Sequence, residues 1–284
     1  MGGRGSAFVN YYNESDSSGV DLAILDDIID NMDSDEDTKL PHAGYTDLLK
    51  RKNVHIKEST DKISEKIIVP NATKIHNLIN EYTKTSKELK RSDEELRVRA
   101  DKMQGNVEAM FVHSPVEFNH LQMVYNADAK YLTRERLEKN TQEQIDHQYW
   151  TKSDKDELVN HTITHEYGHF VQRVLMEREI RTDKTAKARH ERLLEDLEKA
   201  NGNNGKIQRL LQSYSEECAT RYIKGVQRVC RKNFGRDYES VKLSEYGETN
   251  NREYFAEIFC NAETNKNPDD IGKAMKIYLK KRLK

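Results

Sequence analysis

Apolar residues between positions 155 and 176 recur at the spacing of an α-helix. Five of them share one face when the segment is drawn with 3.6 residues per turn. They are Ile163, Tyr167, Phe170, Val171 and Val174. His165 and His169 fall on nearly the opposite face. The pattern predicts an amphipathic helix whose apolar side packs in a core while its other side presents two histidines.

A further helix is predicted over residues 72–103, with Pro70 and Asn71 marking its start. An apolar stripe runs along its first turns, and dense Lys and Glu follow it. The stripe consists of Ile75, Leu78, Ile79 and Tyr82. This helix is interpreted as scaffold, and His76 beside the stripe as a packed side chain.

Strand-like alternation appears at residues 107–112 and 120–125, and residues 131–133 are a candidate third strand. Ser114-Pro115 indicates one of the turns between them. These segments predict a small mixed sheet ahead of the histidine helix. An edge strand of such a sheet would pair with an extended peptide by β-addition.

Together the elements predict an α+β fold in which helices outweigh a small mixed sheet. Residues 1–40 are interpreted as a mobile acidic segment, residues 41–104 as a helical region and residues 105–284 as the main domain. Two helical stretches separated by Asn-Gly-Asn-Asn-Gly predict a helical insertion at about 180–240.

Residues 165–169 read His-Glu-Tyr-Gly-His, a pattern whose chemistry is specific. Four positions apart on a helix, His165 and His169 can bind one zinc ion. Glu166 lies beside the metal and can take a proton from a zinc-bound water. His161 extends the histidine stripe by one turn, but we expect it to lie near the metal without binding it.

A catalytic zinc site needs a third protein ligand. A third histidine six residues after the second is excluded because that position is Leu175, and Gln172 stands where a glycine would accompany it. An upstream cysteine is excluded because all three cysteines lie downstream. The remaining candidate for the third ligand is a carboxylate on a later helix.

The best candidates for that carboxylate are Glu253 and Glu257, one helical turn apart on one face. The apolar residues Phe255, Ile258 and Phe259 occupy the other side. One carboxylate would bind the metal while the other supports a ligating histidine. Spacing alone does not decide which of the two carboxylates binds the metal and which supports the histidine.

These motifs resemble the gluzincin metallopeptidases, and among them the anthrax lethal-factor-like peptidases. That group has an aromatic-Gly pair inside its HExxH motif, as in residues 165–169, and a Glu-aromatic-Phe-Ala-Glu helix, as in residues 253–257. It also has a tyrosine seven residues before the ligating Glu, where this chain has Tyr246. The similarity covers only residues 155–176 and 244–262.

The resemblance implies a zincin-like domain and a role for each matching residue. The implied zinc ligands are His165, His169 and Glu253. Glu166 would be the general base, Tyr246 would donate a hydrogen bond to the oxyanion or leaving group, and Glu257 would support a ligating histidine. The implied reaction is peptide-bond hydrolysis, with Zn²⁺ as cofactor and a protein or peptide as substrate.

The amino-acid composition argues against two kinds of binding partner, nucleic acids and membranes. A formal charge of −2 argues against a dedicated nucleic-acid binder, and no apolar run reaches membrane-spanning length. Three scattered cysteines and the lack of a secretory signal favour a cytoplasmic protein, although non-classical export stays open. Residues 21–38 carry seven Asp and one Glu beside a short apolar stripe, without the glycine of an EF-hand loop. An inhibitory role for this stretch is left open.

A second function belongs to another class. The chain would be a structural or assembly protein whose metallopeptidase-like domain is inactive or processes only itself. The opening Gly-Gly-Arg-Gly-Ser resembles the starts of some phage head-associated proteins. The complete HExxH favours the enzyme, because a purely structural site has no use for Glu166.

Overall fold

The structure is a computed structural model, which describes most of the C-terminal half of the chain and shorter parts of the rest. The described residues are 5–6, 54–56, 65–83, 96–101, 109–112, 121–126, 133–200, 202–236 and 242–283. The predicted acidic segment 1–40 lies outside them apart from residues 5–6, and its predicted mobility stays a prediction. So do the domain boundaries.

Seven α-helices make up most of the described chain. They are α1 (Glu65–Leu78), α2 (Arg134–Asp146), α3 (His161–Thr182), α4 (Lys184–Ala200), α5 (Asn204–Phe234), α6 (Asn251–Thr264) and α7 (Asp270–Arg282). A π-helical turn, Ile79–Thr83, continues α1, and 3₁₀ turns at Lys155–Asn160 and Gly247–Thr249 lead into α3 and α6. The two helices predicted between residues 180 and 240 are confirmed as α4 and α5.

The backbone also has five short extended segments, all before α2. They are β1 (Gly5–Ser6), β2 (Val54–Ile56), β3 (Leu96–Asp101), β4 (Ala109–Val112) and β5 (Leu121–Asn126). Their backbone order is β1-β4-β5-β3-β2, with β4 and β5 antiparallel and the other neighbours parallel. Among their side chains only that of Ala109 is described.

The predicted α+β class is wrong, and a helical fold replaces it. Among the described residues from 133 to 283, where the candidate site lies, there are helices, turns and loops but no strand. Length explains the difference: none of the described extended segments exceeds six residues, whereas α5 alone has 31. Helical periodicity therefore decides the architecture around the site.

The first helix also differs from its prediction. It begins at Glu65, with Pro70 inside it, and ends at Leu78 instead of continuing to residue 103. Residues 96–101 are extended, and the side chain of His76 lies outside the described residues. The predicted apolar stripe is confirmed, since Ile75, Leu78, Ile79 and Tyr82 are all buried.

Helix α3 lies at the centre of the molecule. It packs against α1, α4, α6 and β4, and every residue from His161 to Glu177 is buried. The amphipathic pattern predicted core packing for one side only, but α6 covers the histidine side as well. No helix among the described residues has the length and apolar content needed to cross a bilayer.

Glu263 links α6 to the end of α1. Its carboxylate accepts a hydrogen bond from the Tyr82 hydroxyl, and Lys276 Nζ lies 3.4 Å from Oε1. Burial raises the pKa of Glu263 above its usual 4.5, although Lys276 opposes the rise. The folded protein thus keeps a proton that the unfolded chain has already lost. Stability contributed by this group falls as the pH rises from about 4.5 through the folded pKa.

We expect Glu263→Gln to flatten that fall, because the glutamine stays neutral at every pH. Urea unfolding from about pH 4 to about pH 7 measures it, and the variant should gain stability relative to the wild type as the pH rises. Glu195→Gln, on the exposed face of α4, is the control. A difference from wild type that does not change with pH contradicts the assignment.

Candidate metal centre

The side chains of Asn250 and Glu216 hold the first turn of α6 in place by accepting hydrogen bonds from its backbone N–H groups. Asn250 caps the helix, with its side-chain oxygen accepting from the backbone N–H groups of Arg252 at 3.1 Å and Glu253 at 3.0 Å. Glu216 of α5 accepts a hydrogen bond from the backbone N–H of Asn251 at 2.9 Å. These bonds set the position of Glu253 relative to the histidine helix.

A glycine lets α3 and α6 approach each other. A Cβ at Gly168 would lie 3.0 Å from the Cα of Ala256 and 3.3 Å from the Cβ atoms of Ala256 and Phe259. The first contact is with backbone, so it cannot be relieved by rotating a side chain. Gly168 lies between the two histidines, and the close approach it permits brings Glu253 to them.

Gly168→Ala should force the two helices apart. We expect a loss of about 1–3 kcal/mol in the free energy of unfolding, as for overpacking in a tight core, together with weaker metal binding. Urea unfolding and metal titration measure the two effects. Gly205→Ala in the first turn of α5 is the control, because its Cβ would meet nothing closer than 3.9 Å. Equal stabilities for the two variants would show that the glycine does not set the helix spacing.

Three side chains from α3 and α6 converge on one point. The Nε2 atoms of His165 and His169 each lie 3.1 Å from Oε2 of Glu253. The three ligand atoms all lie within 4.8 Å of one another, and all three residues are buried. This group could hold a metal ion. The structure thus brings together the residues that the sequence predicted as ligands, across the 83 residues from 170 to 252.

Glu257 lies behind His165. Its Oε1 is 2.8 Å from Nδ1 of His165, and its Oε2 accepts a hydrogen bond from the backbone N–H of Thr151 at 2.6 Å. A carboxylate at Nδ1 accepts a hydrogen bond from the N–H group there, which leaves Nε2 free of a proton to bind a metal. Geometry therefore separates the two carboxylates that spacing left undecided: Glu253 faces both histidines, and Glu257 orients one of them.

We expect Glu257→Ala to weaken metal binding by roughly 10–100-fold, the usual cost of losing a carboxylate that orients a ligating histidine. Glu253→Ala should weaken it more, because it removes a candidate ligand. Metal titration of both variants with a competing chelator gives the order. The reverse order would exchange the two assignments.

The surroundings favour the metal-binding protonation states. Burial lowers the pKa of His169, which keeps the imidazole neutral, although Glu253 opposes the shift. Burial works against ionisation of Glu253, but the neighbouring imidazoles of His169 and His165 outweigh it and hold the pKa of this carboxyl well below its usual range. Neutral imidazoles and an ionised carboxylate are the forms that bind a metal.

Sequence reasoning missed two groups around the histidines. Nε2 of Gln172 lies 3.3 Å from Nδ1 of His169 and donates to the backbone carbonyl of Arg252 at 2.7 Å. The Arg252 guanidinium is buried, with Nη2 4.0 Å from Oε1 of Glu253. The position of Gln172, three residues after His169 on a helix, is the signal that was available. Arg252 offered no signal beyond its place next to Glu253.

The remaining predicted residues lie close to these ligands. The ring of Tyr246 is buried, with its centroid 5.6 Å from that of His165, and its backbone N–H donates to the carbonyl of Tyr149 at 3.0 Å. Glu166 is fully buried on α3. The roles of Tyr246 as hydrogen-bond donor and Glu166 as general base stay predictions.

His161 has a different environment. Its Nε2 lies 2.8 Å from the backbone carbonyl of Thr151, and its ring stacks on Trp150 with centroids 5.6 Å apart. It is not part of the group of candidate ligands found among the described residues. The backbone of Thr151 thus contacts both residues: its carbonyl lies at His161, and its N–H donates to Glu257.

Comparison of the chain with protein-family models, with curated proteins and with solved structures finds no match. The resemblance to lethal-factor-like gluzincins therefore depends on the matching motifs alone and stays a prediction.

Proposed function

We propose that the protein is a zinc-dependent metallopeptidase that hydrolyses peptide bonds. The observation that carries the proposal is the convergence of His165, His169 and Glu253, with Glu257 behind His165. Two imidazoles and one carboxylate are the ligand set of thermolysin-type catalytic zinc sites. The glutamate that follows the first histidine is the further element that such an enzyme requires.

The ligand spacing supports zinc. Bonds of about 2.0–2.1 Å at tetrahedral angles put neighbouring ligand atoms about 3.3 Å apart. Each imidazole Nε2 lies 3.1 Å from the Glu253 oxygen. These two distances are compatible with a shared ion, and all three ligand atoms lie within 4.8 Å of one another.

The chain's own residues divide the work of the proposed reaction. Zinc, when bound, supplies a water of lowered pKa and polarises the scissile carbonyl. Glu166 would accept the proton of the attacking water and pass it to the departing amine. Tyr246, beside His165, would donate a hydrogen bond to the oxygen that becomes negatively charged.

Burial favours a second candidate, a zinc site that serves structure or assembly. His165, Glu166, His169 and Glu253 are each at most 2% exposed. A peptide would need access to such a group, whereas a structural metal is typically enclosed by its ligands. In this reading the ion links α3 to α6 and stabilises the fold.

Metal analysis combined with a peptidase assay separates the two. We expect the purified full chain to contain about one zinc per molecule and to cleave members of a peptide library, scored by mass spectrometry. A zinc chelator should abolish cleavage, and added zinc should restore it. A calcium-selective chelator is the control. Stoichiometric zinc without cleavage would leave the structural candidate, and no bound metal would reject both.

A further inference from the structure

Basic side chains surround a groove between α5 and α7, away from the candidate metal centre. The groove has a volume of about 760 Å³. Helix α5 contributes Arg221, Lys224, Arg228, Arg231 and Lys232, and α7 contributes Lys281 and Arg282. Seven basic residues and one acidic residue, Glu179, therefore line the groove, in a chain whose formal charge is −2. We call it the basic groove.

The basic residues of α5 form a single stripe. Successive steps of three or four residues, with Arg231 and Lys232 side by side at the end, keep them on one face, and Arg221 to Lys232 spans about 16 Å along the helix axis. Lys224, Arg228, Lys232 and Lys281 are exposed and form no ion pair with any described residue. Like charges in such a row repel one another, and an anionic partner that covers them would relieve the repulsion.

One end of the groove is fixed by an acidic residue. Glu179 of α3 accepts from Arg221 at 3.0 Å and from Arg282 at 2.5 Å, holding the two guanidinium groups beside each other. The floor is less polar. A Cβ at Gly225 would come within 2.5 Å of the Tyr278 ring, so this glycine makes room for the tyrosine between the helices. Val229 also lines the groove.

A groove with basic walls and an apolar floor fits an acidic amphipathic peptide. The chain itself contains such a sequence at residues 21–37, with eight acidic residues, no basic residue and six large apolar ones, among them Met32. The other apolar residues are Leu22, Ile24, Leu25, Ile28 and Ile29. We propose that residues 21–37 bind in the basic groove of the same molecule.

The length of the chain between residues 37 and 54 is compatible with binding of residues 21–37 in the basic groove. The 17 peptide steps from Asp37 to Val54 span up to about 55 Å when extended, which is comparable to the diameter of a compact chain of this size. Glu179 lies ten residues beyond His169 on α3, about 15 Å along the helix. The groove is thus separate from the candidate metal ligands, and the proposal is independent of the proposed peptidase activity.

Zero-length carbodiimide coupling of the full chain tests the proposal, because it joins only carboxylates and lysines that are already in contact. We expect couplings from residues 21–37 to Lys224, Lys232 and Lys281, found by peptide mass spectrometry. Lys187 and Lys199 on α4 are comparably accessible controls. Equal coupling to the control lysines, or none to the groove, would overturn the proposal.

Two further arms sharpen the result. Arg228→Ala combined with Arg231→Ala keeps every lysine and should lower groove coupling roughly five- to tenfold, whereas Arg192→Ala combined with Arg209→Ala should not change it. If the first pair unfolds the protein, replacing Leu25, Ile28 and Ile29 with Ser tests the same contact from the other side and keeps every carboxylate that can be coupled. An equal mixture of isotope-labelled and unlabelled protein should give couplings within one molecule. Mixed-isotope couplings would mean that a second copy supplies the segment and would overturn binding within one chain.

Discussion

Replacing His165 with alanine should abolish tight metal binding and lower the melting temperature of the metal-loaded protein. His165 is in contact with both carboxylates of α6, at 3.1 Å for Glu253 and 2.8 Å for Glu257. Loss of one of three ligands should weaken binding at least roughly a hundredfold, about 3 kcal/mol. For a chain of this size that corresponds to a fall of about 5 °C.

Two measurements check it. Metal titration gives the affinity, and thermal unfolding with and without a chelator gives the contribution of the ion to stability. A chelator should lower the melting temperature of the wild type and leave that of His165→Ala unchanged, because binding to the folded state alone shifts the transition.

His161→Ala is the matched control. His161 is buried on the same helix one turn earlier and contacts Thr151 and Trp150 instead of the candidate ligands. Its loss should cost stability through packing and a lost hydrogen bond, yet the response to chelator should persist. If His161→Ala removes the metal and His165→Ala does not, the ligand set is wrong.

The ligand pair on α3 was predictable because it depends on one helix. His165 and His169 are four residues apart, and local helical geometry brings them to one side. Glu253 is a different case, since no local rule links it to histidines that are 84 and 88 positions away. Its selection depended on motif resemblance and on helical spacing within α6. The structural cause of the contact is Gly168, whose missing Cβ lets the two backbones meet.

Burial of the histidine face was not predictable from periodicity. A helix face that carries histidines and a glutamate is typical of a solvent-exposed surface. Here the imidazoles are covered and hydrogen-bonded by three side chains, those of Glu253, Glu257 and Gln172. Polar groups can be buried when they satisfy one another, and that depends on a partner helix that a single periodic pattern does not reveal. The mistaken α+β class has a similar origin, because short alternating runs say nothing about how much helix surrounds them.

Glu166→Gln should abolish peptide hydrolysis while leaving the metal in place, if the proposed activity is right. Glu166 follows the first ligand on α3 and does not belong to the group of candidate ligands. The amide is nearly isosteric but cannot take a proton from water. We expect turnover to fall roughly 10²–10⁴-fold, the range attributed to a positioned general base. Two measurements on the same sample check this. One is the rate at which a peptide substrate found in the library assay is cleaved, and the other is the zinc content.

Glu177→Gln controls for the change of a buried glutamate on the same helix. Glu177 is paired with Arg181 two turns beyond His169, remote from the candidate ligands. This variant should keep both zinc and turnover. Undiminished cleavage by Glu166→Gln would remove Glu166 from the reaction. Loss of zinc from that variant would show that Glu166 contributes to binding the ion, a role that fits the structural candidate as readily as the enzyme.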